Sequence, residues 1–197
     1  MITIFFQITI GCLLIMNKAV FIDRDGVINE DRGHVHKIDD FVLIPGVIEG
    51  LARLQEAKYK LIVITNQAGI AHGYYDQNAM ERLHDYLIEI LALHNVVLDG
   101  IYFCPHHPNG IVSSLAVGCN CRKPAPGMVI KAANEHMINL SSSVLIGDKL
   151  TDIEAGKRAG VGLNILVKSD IKVDETLGIE RTIVSDTLLD AVKYHIL

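Results

Sequence analysis

The chain has 197 residues, half of them hydrophobic, and a formal net charge of −5. That length and apolar content suit one domain with a core large enough to stand without disulfide staples. The acidic balance and the lack of any long Lys/Arg run exclude a general nucleic-acid or acidic-membrane binder, while a locally basic pocket for a small anion stays possible.

Residues 1–15 are uncharged and rich in Ile, Phe and Leu, but no basic stretch precedes the run and no small-residue cleavage site follows it. A spanning helix needs ~20 apolar residues, and this run is interrupted by Gln7, Thr9 and Lys18. Residues 1–15 therefore read as an extension upstream of Met16, with a short anchor or an ordinary extra strand or helix as alternatives. Cys12 lies in this segment.

A short apolar run at 19–22 reads as a buried parallel strand, and Asp23 and Asp25 emerge where it ends. Two acids crowded at a strand's carboxyl edge invite a cation, and one can act as nucleophile while the other handles protons. A polar strand exit, with Gly26 easing the turn, is the plainer reading of the pair taken alone. Residues 24–44 are polar and His-bearing, as expected of a flap over a site. Pro45-Gly46 opens a helix with Val47, Leu51 and Leu54 on one face.

The next strand, 61–64, leads into Thr65-Asn66-Gln67, whose hydroxyl and amides can bond phosphate oxygens or serve simple turn chemistry. From Asp76 to His94, Met80, Leu83, Leu87, Ile90 and Leu91 recur at helical spacing and read as core. A strand at 100–103 precedes a long irregular loop, 105–126. There Cys104-Pro105-His106-His107 and Cys119-Asn120-Cys121 form C-x-H and C-x-C half-sites with twelve residues between His106 and Cys119. A Cys₃His set suits tetrahedral Zn²⁺ with no open position, hence a structural ion, and His107 could replace His106. Arg122 and Lys123 follow, just before a helix that starts near Met128. Two cations there would neutralise a transferring phosphoryl group, although a solvated basic pair is the plain alternative. The strand 144–146 ends at Asp148, a third oxygen ligand for Mg²⁺. Asp152 reads as a further acid of that site or as a first-turn helix acid. A last strand is expected at 161–167. Strands alternating with helices imply a parallel α/β sheet.

Four strand ends thus supply an acid pair, a hydroxyl with an amide, a cation pair and another acid, in that order. This set, spanning residues 19 to about 190, resembles the haloacid dehalogenase superfamily of phosphotransferases. The resemblance implies a Rossmann-like three-layer sandwich with a central parallel sheet, a small flap, a zinc-binding loop and no large cap domain, built as one phosphatase domain over 16–197. By that likeness Asp23 attacks phosphorus, and Asp25 protonates the leaving oxygen and then activates water. Thr65, Arg122 and Lys123 serve the phosphoryl group, and Asp23, Asp148 and the Asp25 carbonyl hold Mg²⁺.

Within the superfamily, Asp-Arg-Asp-Gly-Val-Ile-Asn, Thr-Asn-Gln-x-Gly-Ile, Cys-Pro-His-His-Pro, Cys-x-Cys-Arg-Lys-Pro and Gly-Asp-Lys look like the D-glycero-D-manno-heptose 1,7-bisphosphate 7-phosphatase family, which serves nucleotide-activated heptose synthesis. Histidinol-phosphate phosphatases share most of these motifs but have a shorter spacer between zinc half-sites; they, or another sugar-phosphate phosphatase, are the alternative. The likeness places zinc on Cys104, His106, Cys119 and Cys121. It places a sugar bisphosphate against Asp31, Arg32, Gly33, His34, Thr65, Asn66, Gln67, Ala68, Arg122, Lys123 and Lys149. His34, Ala68 and His72 depart from the pattern, where Tyr, Ser and Arg are usual; His34, His36 and His72 otherwise read as exposed loop histidines. The expected enzyme is cytoplasmic and monomeric, with no nucleic-acid or membrane partner. A nucleic-acid module on the zinc loop is disfavoured by charge, and a silent scaffold by the presence of every motif residue.

Overall fold

Short runs that are apolar on both faces become the strands of a single parallel sheet. The computed structural model describes residues 16–167 and 182–197, so the expectations for residues 1–15 and Cys12 lie outside the described residues. The strands are β1 (Lys18–Ile22), β2 (Tyr59–Asn66), β3 (Gly100–Cys104), β4 (Val144–Gly147), β5 (Leu163–Val167) and β6 (Thr182–Ser185). Their order across the sheet is β3-β2-β1-β4-β5-β6, every neighbouring pair parallel. β2 outruns its apolar stretch at both ends, because Tyr59 and Lys60 pair with β1 and Thr65 and Asn66 pair with β3. β5 starts two residues later than the apolar run at 161–167 suggests. β6 has no counterpart among the strands expected from the sequence, since four residues ending in Ser185 are too short to show a clear period.

The helices are α1 (Val47–Glu56), α2 (Gln77–Leu93), α3 (Gly127–Glu135), α4 (Leu150–Ala159) and the short α5 (Leu188–Ala191), which continues into a π-helical turn at Val192–Ile196. Side-chain alternation along the strands decides which helix covers which face. Val20, Ile22, Leu61, Val63, Val144, Ile146 and Ile165 pack with Leu51 and Leu54 of α1, Leu83 and Leu87 of α2 and Leu188 of α5. Ala19, Phe21, Ile62, Ile64 and Leu145 pack with Met128 and Ala132 of α3 and Ile153 of α4. The three-layer α/β sandwich expected from the sequence is therefore the observed architecture.

Consecutive crossovers run from β1 outward through β2 to β3, then return to the other side of β1 for β4, β5 and β6. The order reverses between β1 and β4, and in open parallel sheets ligands bind in the crevice at the carboxyl ends of such a pair. The flap after β1 is more firmly seated than its polar composition suggests, since Val27, Ile28, Val35 and Phe41 are buried in the α1/α2 core. The loop between β3 and α3 carries no regular element. No helix among the described residues is long and apolar enough to cross a membrane.

Leu51, fully buried on α1, reports on this core. Leu51→Ala is expected to lower stability by ~2–5 kcal/mol, read as a lower urea midpoint at unchanged slope. A loss below about 1 kcal/mol would show instead that the core closes around the truncated side chain.

Candidate active site

Asp23 leaves β1 and Asp148 leaves β4, so the two acids flank the point where strand order reverses; the Asp23 N–H donates to the Ile146 carbonyl at 2.9 Å. Gly26 makes their approach possible. Its φ is +88°, and a Cβ there would lie 2.3 Å from Asp148 Oδ2. Asp152, in the first turn of α4, completes a buried group in which one carboxylate oxygen from each of Asp23, Asp148 and Asp152 lies within 4.8 Å of the others. Burial, then the charges of Asp152, Asp148 and Asp25, push the Asp23 carboxyl up to about 7 against the pull of Lys123. Burial raises Asp148 to about 6, with Lys149 opposing and Asp152 adding to the rise.

Lys123 is the cation built into this group. Its Nζ lies 2.6 Å from Asp152 Oδ1 and 3.0 Å from Asp23 Oδ1, and donates to the Ile64 carbonyl at 2.9 Å. All three N–H groups are thereby spent. Burial works to deprotonate Lys123, but the Asp152 and Asp23 charges outweigh it and raise its pKa. One ammonium among three buried acids leaves negative charge over, and a hard oxygen-donor set of that kind fits Mg²⁺. Asp152 answers to both of its readings: Oδ2 accepts from the Lys149 N–H at the start of α4 at 2.9 Å, and Oδ1 faces Lys123. The Asp25 carboxylate is not in this group, as expected of a residue assigned to Mg²⁺ by its backbone carbonyl alone.

Thr65 and Gln67 lie beside the acids at the end of β2. Gln67 Nε2 donates to Thr65 Oγ1 at 2.8 Å and to Asp25 Oδ2 at 3.1 Å, while its Oε1 accepts from the Tyr75 hydroxyl at 2.6 Å. Asn66 turns the other way, where its Oδ1 accepts from the Lys123 N–H at 3.0 Å and its Nδ2 donates to the Lys123 carbonyl at 3.1 Å. The amide thus clamps the loop that carries the lysine. Ala68 is buried directly beyond.

Three loops meet at the mouth. Lys149 Nζ bonds Asp31 Oδ2 of the flap at 2.9 Å and lies 3.5 Å from Asp148 Oδ2. Burial works to raise Asp31, but the Lys149 bond and the Gly33 N–H overcome it and lower its pKa. Arg32 is exposed and paired with Glu30. The rings of His34 and His72 are 6.3 Å apart, those of His72 and His107 4.7 Å, and Tyr74 lies against both His34 and His72. Arg122 donates to the His106 carbonyl at 3.3 Å.

That bond ties the basic pair to the cysteine cluster. Sulfur separations are 3.1 Å for Cys104–Cys121, 3.2 Å for Cys119–Cys121 and 3.5 Å for Cys104–Cys119. His106 Nδ1 lies 3.4 Å from Cys121 Sγ and 3.7 Å from Cys104 Sγ. Sulfurs so spaced are too far apart for a ~2.05 Å disulfide bond, and the four donors fit the corners of a tetrahedral Zn²⁺ site. His107 is not among them; its Nδ1 accepts from the Asn109 N–H at 3.2 Å.

Two buried polar neighbours of the acids are not apparent as such from the sequence. Arg24, between the two acids, is fully buried, and His84 is buried on the inner face of α2. The second had a signal, since position 84 falls within the apolar stripe of Met80, Leu83, Leu87 and Leu91.

Comparison with known proteins agrees with this geometry. Residues 120–191 match a family of HAD-hydrolase-like proteins. A D-glycero-beta-D-manno-heptose-1,7-bisphosphate 7-phosphatase of Photorhabdus laumondii is 42% identical over 89% of this chain and 93% of that protein. The D-glycero-alpha-D-manno-heptose-1,7-bisphosphate 7-phosphatase of the same organism is 43% identical over 89% of this chain and 95% of its own length. Among solved structures, D,D-heptose 1,7-bisphosphate phosphatase from B. bronchiseptica, complexed with magnesium and phosphate, superposes with a TM-score of 0.78 at 34% identity, covering 89% of this chain and 96% of that one. With its acids at the reversal of the sheet and this likeness along nearly its whole length, the chain belongs to the haloacid dehalogenase superfamily of hydrolases, in the family of heptose 1,7-bisphosphate 7-phosphatases.

Proposed function

We propose that this protein is a Mg²⁺-dependent phosphatase that removes the 7-phosphate of D-glycero-D-manno-heptose 1,7-bisphosphate through an aspartyl-phosphate. The observation that carries the reading is the buried Asp23 carboxylate held 3.0 Å from the Lys123 ammonium at the sheet's reversal point, a nucleophile beside a cation in a group of acids suited to Mg²⁺. Mg²⁺, held by Asp23, Asp148 and the Asp25 carbonyl, would supply charge neutralisation for the phosphoryl oxygens. A carboxylate oxygen of Asp23 forms a bond to phosphorus as the ester P–O bond breaks, and Asp25 gives its proton to the departing sugar oxygen. Asp25, now a carboxylate, takes a proton from water as that water's oxygen bonds to phosphorus and the Asp23–phosphorus bond breaks. Inorganic phosphate leaves and Asp25 is protonated again.

Lys123 and Thr65 hold the transferred phosphoryl group, and Lys123 and Arg122 offset its charge. Asp31, Arg32, Gly33, His34 and Lys149 face the sugar and the remaining phosphate, with Asn66, Gln67 and Ala68 lining the strand end beside them. Relatives named for the alpha and the beta anomer match this chain about equally, at 43% and 42% identity, and the departures at His34, Ala68 and His72 would stand near the sugar or its distal phosphate. Zinc on Cys104, His106, Cys119 and Cys121 stiffens the loop that delivers Arg122 and Lys123. The enzyme works as a cytoplasmic monomer.

Two measurements test this. With Mg²⁺ and a panel of heptose 1,7-bisphosphate, histidinol phosphate and fructose 1,6-bisphosphate, the heptose substrate is expected to give the highest kcat/KM. Asp23→Asn should cut phosphate release by about 10³-fold or more; release at the wild-type rate would sink the nucleophile assignment. Metal analysis should find about one zinc per chain, lost in Cys119→Ser together with thermal stability. Zinc retained in that variant would remove Cys119 from the ligand set.

A further inference from the structure

Arg24 makes an unusual set of contacts for a fully buried arginine. Its Nη2 bonds both oxygens of Asp25, at 3.0 and 2.9 Å, and its Nε adds a longer bond to Oδ1 at 3.3 Å. Nη2 also donates to the carbonyl of Val35 in the flap at 2.7 Å, and Nη1 lies 3.1 Å from His84 Nε2 on α2. A guanidinium has no acceptor, so His84 Nε2 must accept and its proton must sit on Nδ1. Burial, and then the Arg24 charge, hold His84 down to about 3, so this partner stays neutral.

Asp25 is the carboxylate paired with Arg24 among the ion pairs of the described residues. The orientation is fixed as well: Asn29 Nδ2 donates to Asp25 Oδ1 at 2.9 Å and Gln67 Nε2 to Oδ2 at 3.1 Å. Arg24, Asn29 and Gln67 together leave the Asp25 side chain one orientation.

We propose that Arg24 is a positioning residue for Asp25: it holds the carboxylate ready for the hydrolysis of the aspartyl-phosphate and, through Val35, joins its placement to the seating of the flap. With a leaving group that needs little protonation, the hydrolytic half of the cycle is the half that depends on this placement. This rests on the roles given above to Asp23 and Asp25.

The test is rapid mixing of the Mg²⁺-loaded protein with p-nitrophenyl phosphate, whose leaving group needs little protonation, so that nitrophenolate release separates phosphorylation from turnover. Arg24→Met, similar in length but without donors, should release about one nitrophenolate per chain at the wild-type rate and then turn over at least tenfold more slowly; Arg24→Lys should fall between. A purely structural role would lower burst and turnover together, and that result, or turnover at the wild-type rate, overturns the proposal. If Arg24→Met does not fold, the ratio of burst to turnover in Arg24→Lys decides in the same way, an unchanged ratio counting against it. Asp25→Asn run in parallel separates the two layers. Undiminished turnover there removes the role of Asp25 itself, whereas slow turnover in Asp25→Asn with normal turnover in Arg24→Met removes only the positioning by Arg24.

Discussion

A single buried ammonium organises this protein's chemistry. Lys123 spends its three N–H groups on Asp23, Asp152 and the Ile64 carbonyl, and so joins the ends of β1 and β2 to the start of α4. Without it, three acids would share a buried space, and the burial that already lifts Asp23 would lose the charge that opposes it. Because the ion pairs are buried, they are screened little by salt and depend on geometry. Much of the surrounding structure supplies that geometry.

The loop bearing Lys123 has no helix or strand of its own to hold it. Instead the Asn66 side chain pairs with the Lys123 N–H and carbonyl as a neighbouring strand would, extending the order of β2 into irregular chain. On the other side of Arg122, the sulfur cluster gathers both ends of the same loop, and Arg122 is bonded back to the His106 carbonyl. The cysteine cluster and Lys123 are thus parts of one mechanical unit, fixed at one end by the sheet edge at Cys104 and at the other by α3.

Local sequence was sufficient to place the candidate residues that sit at strand ends. Apolar runs followed at once by Asp23, Thr65 or Asp148 announce both the strand and the chemistry at its exit, because parallel strands buried on both faces leave polar residues nowhere else to go. Closely spaced Cys and His likewise marked a metal loop. What depended on distant contacts stayed hidden. Arg24 is merely the first residue of a polar flap until α2 supplies His84 and the flap supplies Val35; β6 is too short to show a period; and Asp152 could be assigned to helix or site only when Lys123, 29 positions earlier in the chain, was seen beside it.

The floor and the rim of the site are built under different constraints. Asp23, Thr65, Lys123, Asp148 and Asp152 are buried and crowded against one another, so a change at any of them disturbs several partners. His34, His72, Tyr74 and His107 meet from separate loops, mostly by ring contact, and none of the four is buried. Surface changes of that sort typically shift stability by within ~0.5 kcal/mol. Substitution at the rim therefore leaves the packing of the floor intact, so the two layers of the site are free to vary at different rates.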